Sequence, residues 1–210
     1  MPVKSKPLAD GRRQRGEQSR QRIIAEALRL FSRYGYAGTS LSAIRDATGL
    51  PVSSLHHHFG SKAGICVAAI EYVGETLSGI DLRHRLRDIR GTSARAHTLV
   101  QVLLRHNRKQ YRTLLLVIRL AMDAQDIDPA IRPAVRRIRQ MAVDELVASL
   151  ALVFESRQPP LPTQRLGIIA RRMLSLMDGL MISHLTDAPD IPPAWAPEDI
   201  ERLLLGLIGQ

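Results

Sequence analysis

Disulfide chemistry is closed to this chain. One of its 210 residues is cysteine, Cys66, and a single thiol cannot make an internal bridge, which agrees with a reducing compartment. Aromatic residues are few, at 3 Phe, 4 Tyr and 1 Trp. Uncharged apolar runs such as Thr113–Ile118, ended by Arg119, fall far short of the ~20 residues a bilayer-spanning helix needs. The N-terminus is basic but has no apolar stretch like that of a secretory signal. No membrane partner is therefore expected, and the expected location is cytoplasmic. No alternation of apolar and polar residues marks a strand, and no repeat is visible.

What is present is basic charge, unevenly placed. The net charge is +10. Residues 1–62 hold 11 Lys+Arg against 4 Asp+Glu, net +7; residues 63–110 hold 8 against 4, net +4; residues 111–210 hold 11 against 12, net −1. A basic module joined to a near-neutral one suggests that one end meets a polyanion while the other does something else.

The period is helical from about Gln18. Ile23, Ile24, Ala27, Leu30, Phe31 and Tyr34 form one stripe, and Gly35 ends it. Thr39 and Ser40 suit the start of a short helix carrying Leu41, Ile44 and Ala47. Gly49 breaks that helix, Pro51 opens a third, and Ser61 caps a fourth running from about Lys62 to Leu77. Residues 40–59 thus read as helix, glycine-containing turn and second helix, the layout of a helix-turn-helix. Beyond it, 81–91 reads as a charged connector or short helix. Further helices are expected at about 93–110, 113–122, 129–155, 163–185 and from 197.

Three consecutive histidines, His56, His57 and His58, invite a metal or catalytic reading. On a helix, consecutive residues fan out by about 100° each, so the three cannot converge on one ion. No Cys or acid stands at ligand spacing, and no nucleophile–base–acid set is visible. No metal, cofactor or catalytic residue is therefore expected, and an enzyme built on a helical bundle is the weaker reading.

The stretch from Gly35 to Ile65, "GYAGTSLSAIRDATGLPVSSLHHHFGSKAGI", with the preceding "RQRIIAEALRLFSRYGY", resembles the DNA-binding segment of the TetR family of bacterial transcriptional regulators. An aromatic-Gly pair closes the first helix and Thr-Ser opens the second. An Ile and an Ala-x-Gly follow at family spacing, then Ser-Leu, a His, Phe59 and Ser61-Lys62. The resemblance implies a homodimeric, ligand-responsive repressor, released from a double-stranded, palindromic DNA operator by a small molecule. The alternatives are an activator or a regulator without a ligand. The fold class implied is all-α with about nine helices. Residues 1–17 would be a flexible basic arm, 18–62 the three-helix DNA-binding domain, and 63–210 a helical ligand-binding and dimerisation domain.

Small or polar side chains at the first turn of a recognition helix lie against base edges and phosphates. Val52, Ser53 and Ser54 fit that role, with Leu55 and Phe59 anchoring the helix. Thr39 and Ser40 offer hydroxyls and helix-start N–H groups for a phosphate, and Arg45 could reach groove or backbone. The family pattern makes Lys62 a phosphate contact, His57 a phosphate neighbour, His56 a DNA-facing residue and His58 a packing residue. Relatives usually carry Tyr at His56, Ala at Arg45, often Lys at Val52, and an acid near Gly64, so the resemblance does not carry an operator sequence over.

In the C-terminal half, Leu166, Ile169, Ala170, Met173, Met177, Leu180 and Met181 keep helical spacing, as do Ile200, Leu203, Leu204, Leu207 and Ile208. Leu174, Leu176 and Leu205 add apolar surface outside these stripes. A helix apolar on more than one face points to a subunit interface, expected here through Met173, Met177, Leu180, Met181, Leu203, Leu204 and Leu207. A ligand pocket is expected among residues 93–155, with His97, His106, Asn107, Tyr111, Arg119 and Asp123 as polar candidates. With so few aromatics it should be aliphatic rather than a stack for flat cations.

Overall fold

The computed structural model describes residues 8–78, 82–122, 127–186 and 202–207. Every regular element among them is a helix: α1 Leu8–Tyr34, α2 Leu41–Thr48, α3 Val52–Phe59, α4 Lys62–Ser78, α5 Leu82–Arg87, α6 Thr92–Met122, α7 Arg132–Val153 and α8 Thr163–Thr186. Residues 202–207 are helical as well. The fold is all-α with an N-terminal helix-turn-helix.

Two compact units divide the chain. The first comprises Met1–Val73 and Arg119–Val135, the second Gly74–Ile118 and Arg136–Gln210. In the first unit α1 buries Ile23, Ile24, Ala27, Leu30 and Phe31, α2 buries Ile44, and α3 buries Leu55. Apart from Ala27, each of these side chains contributes roughly 1.5–3 kcal/mol by leaving water. Cys66 on α4 is fully buried. Burial pushes its thiol up to about 12, against the opposing pull of the Lys62 charge.

Local chemistry sets the ends of α2, α3 and α4. Ser40 Oγ accepts from the Ala43 N–H at 3.0 Å and caps α2. Gly49 closes it at φ 66°, where a left-handed turn favours glycine, and donates from its N–H to the Arg45 carbonyl at 2.8 Å. Gly60 ends α3 at φ 73°. Ser61 Oγ then accepts from the Gly64 N–H at 3.1 Å, starting α4.

The second unit has one apolar cluster that includes Leu82 and Leu86 of α5, Leu99 of α6, Leu150 of α7, Met173 of α8 and Leu204. Arg95 ties this unit together. Its guanidinium donates to the Ile89 carbonyl at 2.7 Å, the Leu152 carbonyl at 2.6 Å and the Glu155 carboxylate at 2.7 Å.

Three expectations on helix limits change. The helix begins at Leu8, so residues 8–17 are helical rather than a flexible arm. Arg, Gln, Glu and Ala, good helix formers, outweigh Gly11 and Gly16 there. The helices expected at 93–110 and 113–122 form one, α6, because no Gly or Pro interrupts it. The last turn before α7 is irregular, so α7 starts at Arg132 rather than Pro129.

Candidate nucleic-acid interface and small-molecule cavity

α2 and α3 are eight residues each, separated by residues 49–51. α3 follows Pro51, which gives no side-chain cap; its carbonyl accepts from the Ser54 N–H at 2.9 Å, and the N–H groups of Val52 and Ser53 have no i−4 partner within the helix. Ser53, His56 and His57 are exposed, Val52, Ser54 and His58 half-buried, and Leu55 buried. One helix therefore offers hydroxyls, imidazoles and a methyl-bearing side chain on its outer side and an anchor on its inner side. Arg20 of α1 stacks on the Phe59 ring, 5.7 Å from its centroid.

The expected contacts are not equally available. Ser40 is exposed, and its cap leaves the hydroxyl hydrogen free to donate. Thr39 is not available as expected. Its side chain is buried, with Oγ1 donating to the Gly35 carbonyl at 2.8 Å and its N–H to the Tyr36 carbonyl at 3.3 Å. The hydroxyl and N–H predicted for a phosphate are used to close the α1–α2 turn. Arg45 is exposed and pairs with the adjacent Asp46 at 2.7 Å. Lys62 Nζ donates to the Tyr36 carbonyl at 3.0 Å and the Thr39 carbonyl at 3.1 Å, and lies 4.2 Å from the Tyr36 ring centroid. One of its three N–H donors is left.

The three histidines separate. His56 Nδ1 lies 2.8 Å from the Gly60 carbonyl oxygen. A carbonyl only accepts, so Nδ1 carries the proton and a neutral ring turns Nε2 outward as an acceptor. The His57 ring meets His58 edge-on at 5.3 Å, and His58 meets Phe59 at 6.0 Å.

In the second unit, α6, α7 and α8 with Gly74 and residues of α5 line a half-open cavity of about 480 Å³. Its wall is mostly aliphatic and includes Met141, Met173, Met177 and Met181. Of the polar candidates, His106 and Asn107 line it. Burial lowers the His106 pKa, and its Nε2 is buried with no hydrogen-bond partner. His97 and Arg119 are exposed and stand outside the lining. Tyr111 is outside it too, its hydroxyl donating to the Met181 carbonyl at 3.3 Å. Asp123 lies outside the described residues. Sequence reading missed two ion pairs in the lining. Arg139 meets Asp178 at 2.6 Å, and Arg83 meets Glu145 at 3.4 Å.

Met173, Met177 and Met181, expected at a subunit interface, line this cavity and are buried within the chain, as is Leu204. The expected stripe faces inward because its period matches the chain's own core. Leu180 and Leu207 are half-buried and Leu203 is exposed. On α8, Ile168, Ser175, Gly179 and Ile182 are exposed at near-heptad spacing.

Among the described residues no helix is long and apolar enough to cross a membrane. There too, no group of three His, Cys, Asp or Glu side chains could hold a metal.

A short-turned helix pair at the N-terminus of an all-α chain defines a helix-turn-helix DNA-binding protein. Residues 23–69 match the family model described as bacterial regulatory proteins, tetR family. The chain is 25% identical over 166 residues to the HTH-type transcriptional regulator BetI of Burkholderia thailandensis, covering 79% of this chain and 81% of that protein. It is 26% identical over 182 residues to AcrR of Shigella flexneri, another HTH-type transcriptional regulator, covering 85% and 83%. In fold it is similar to a Saccharomonospora viridis protein, described as a transcriptional regulator and solved in complex with choline. The TM-score is 0.67 at 22% identity, covering 92% of this chain and 96% of that one. Residues 23–69 thus carry a DNA-binding segment of the tetR-family type, and most of the chain is similar to bacterial HTH-type transcriptional regulators rather than to enzymes.

Proposed function

We propose that this regulator is a homodimeric repressor, released from a near-palindromic operator by a small molecule. The observation that carries this reading is an exposed, polar-faced α3 in one unit together with a half-open, mainly apolar cavity in the other. Such cavities are the usual form of small-molecule sites.

In this reading α3 enters the major groove. Val52, Ser53, Ser54 and His56 meet base edges, and Ser40, Arg45, His57 and the remaining donor of Lys62 meet phosphates. Two copies read half-sites about one helical turn apart. They meet through the outer face of α8 and the exposed Leu203, where Gly179 and Ser175 allow close approach. The two units act in the cytoplasm as a linked pair. An effector that favours the released state weakens DNA binding, and DNA weakens effector binding by the same factor.

The test is binding to the DNA upstream of the chain's own gene against random DNA, at two salt concentrations. A specific reader keeps its preference as salt rises, whereas a nonspecific coat shows no preference and only loses affinity. A metabolite screen for release follows. Specific binding that no metabolite reverses would favour a regulator without a ligand.

A further inference from the structure

We infer that the second unit's cavity takes an electrically neutral, mainly aliphatic molecule with one hydrogen-bonding group, a hydroxyl, carbonyl or amide, held at His106. This rests on the reading of that cavity as the effector site.

The wall is the first ground. Among the described residues, none that lines the cavity is Phe, Tyr or Trp. Quaternary ammonium ions are commonly held against aromatic faces, and this cavity has none to offer. Four methionines take that place. Their unbranched, polarisable side chains fit irregular aliphatic shapes.

Charge is the second ground. Arg139 and Arg83 already have carboxylate partners in Asp178 and Glu145. Asp144, the remaining charged residue of the lining, is exposed and accepts from Gln140. A charged ligand would have to break a pair or enter apolar surroundings uncompensated, and both are costly. A neutral ligand meets neither cost.

His106 supplies the third ground. Its Nε2 sits in the wall with no protein partner. Burial also favours the neutral ring, which either donates or accepts according to tautomer. The nitrogen is shut off as it stands, and a turn about the soft second side-chain torsion would bring it to the cavity. A hydroxyl can satisfy either tautomer, which makes it the best-matched group. Asn107, next in sequence, lines the same cavity.

The experiment uses the full chain and four probes of similar length: 1-octanol, 1-chlorooctane, octanoate and octyltrimethylammonium. Calorimetry gives affinities and thermal melts give stabilisation. Octanol should bind roughly tenfold more tightly than either charged probe. His106→Leu should weaken octanol about fivefold while leaving 1-chlorooctane unchanged. Ala142→Trp should abolish binding of all four by filling the cavity. Leu114→Trp replaces it if that variant no longer melts cooperatively.

Charged probes that bind as tightly as octanol, and are lost in the filled variant, overturn the ligand class but leave the cavity reading standing. No binding by any probe overturns both. Octanol binding that survives filling lies elsewhere and also overturns the inference.

Discussion

Lys62 donates from Nζ to the Thr39 carbonyl, 3.1 Å away and 23 residues earlier in the chain. With the Tyr36 carbonyl and ring, this makes the first residue of α4 a latch on the α1–α2 turn. Charged hydrogen bonds to partly buried carbonyls contribute more than neutral ones. Lys62→Ala should therefore lower stability by about 1–3 kcal/mol, seen as a lower urea midpoint. It should also weaken binding to all DNA sequences alike and reduce the salt slope by about one. An unchanged midpoint would mean that the two carbonyl bonds contribute nothing.

His56 is held by Gly60 with Nε2 outward. In its neutral form that nitrogen pairs only with a donor, which in the major groove means adenine N6 or cytosine N4. Selection of bound sequences from random DNA should show adenine or cytosine at the base pair that His56 faces. His56→Ala should relax that position at a cost of roughly 1–3 kcal/mol. A profile unchanged by the substitution would move His56 from reader to C-terminal cap of α3.

A side chain at Gly64 has no room. An added Cβ would stand 2.0 Å from the Phe59 carbonyl oxygen and 3.1 Å from its carbon. Gly64→Ala should cost about 1–3 kcal/mol and shift the α3–α4 turn. By contrast, Gly16 in α1 meets nothing within 4 Å, and Gly16→Ala should gain about 0.5–1 kcal/mol. Paired thermal melts check both signs.

Gly179 on α8 is exposed and open within the single chain. Gly179→Glu should leave the fold and its melting cooperativity intact. It should convert dimer to monomer in sedimentation and weaken operator binding, because two half-sites no longer act together. Met173→Glu should instead unfold the second unit, since Met173 is fully buried.

Burial lowers the His106 pKa below that of the unfolded chain, so the unfolded state takes up the proton first. Stability is therefore complete above the ordinary histidine range, near pH 6.5, and falls as pH drops through it. The melting temperature should decline between about pH 7 and pH 5, and less steeply in His106→Leu. Parallel curves would show that the ring is solvated in the folded state.

Features read correctly from sequence are local ones. Ser40, Gly49 and Ser61 mark helix ends because capping involves neighbours three or four residues apart. Features missed are those joining distant segments. The Arg139–Asp178 pair spans 39 residues, and no periodicity announces it. Thr39 looks like Ser40 in sequence, and only the fold shows that one hydroxyl closes a turn while the other caps a helix. On α8 the apolar period identified a buried stripe correctly but assigned it to a partner. The outer face escaped notice because Ser175 and Gly179 interrupt its apolar pattern.

The buried Cys66, with its thiol pushed up to about 12, has a practical consequence. The thiolate is the reactive form, so the native sulfur will stay silent toward maleimides at neutral pH. The wild-type sequence is thus already a clean background for single-site labelling. A nearly isosteric Ser42→Cys, on the exposed side of α2, would carry a spin label without removal of the native cysteine. Distances between the labels of two subunits could then be followed as effector is added.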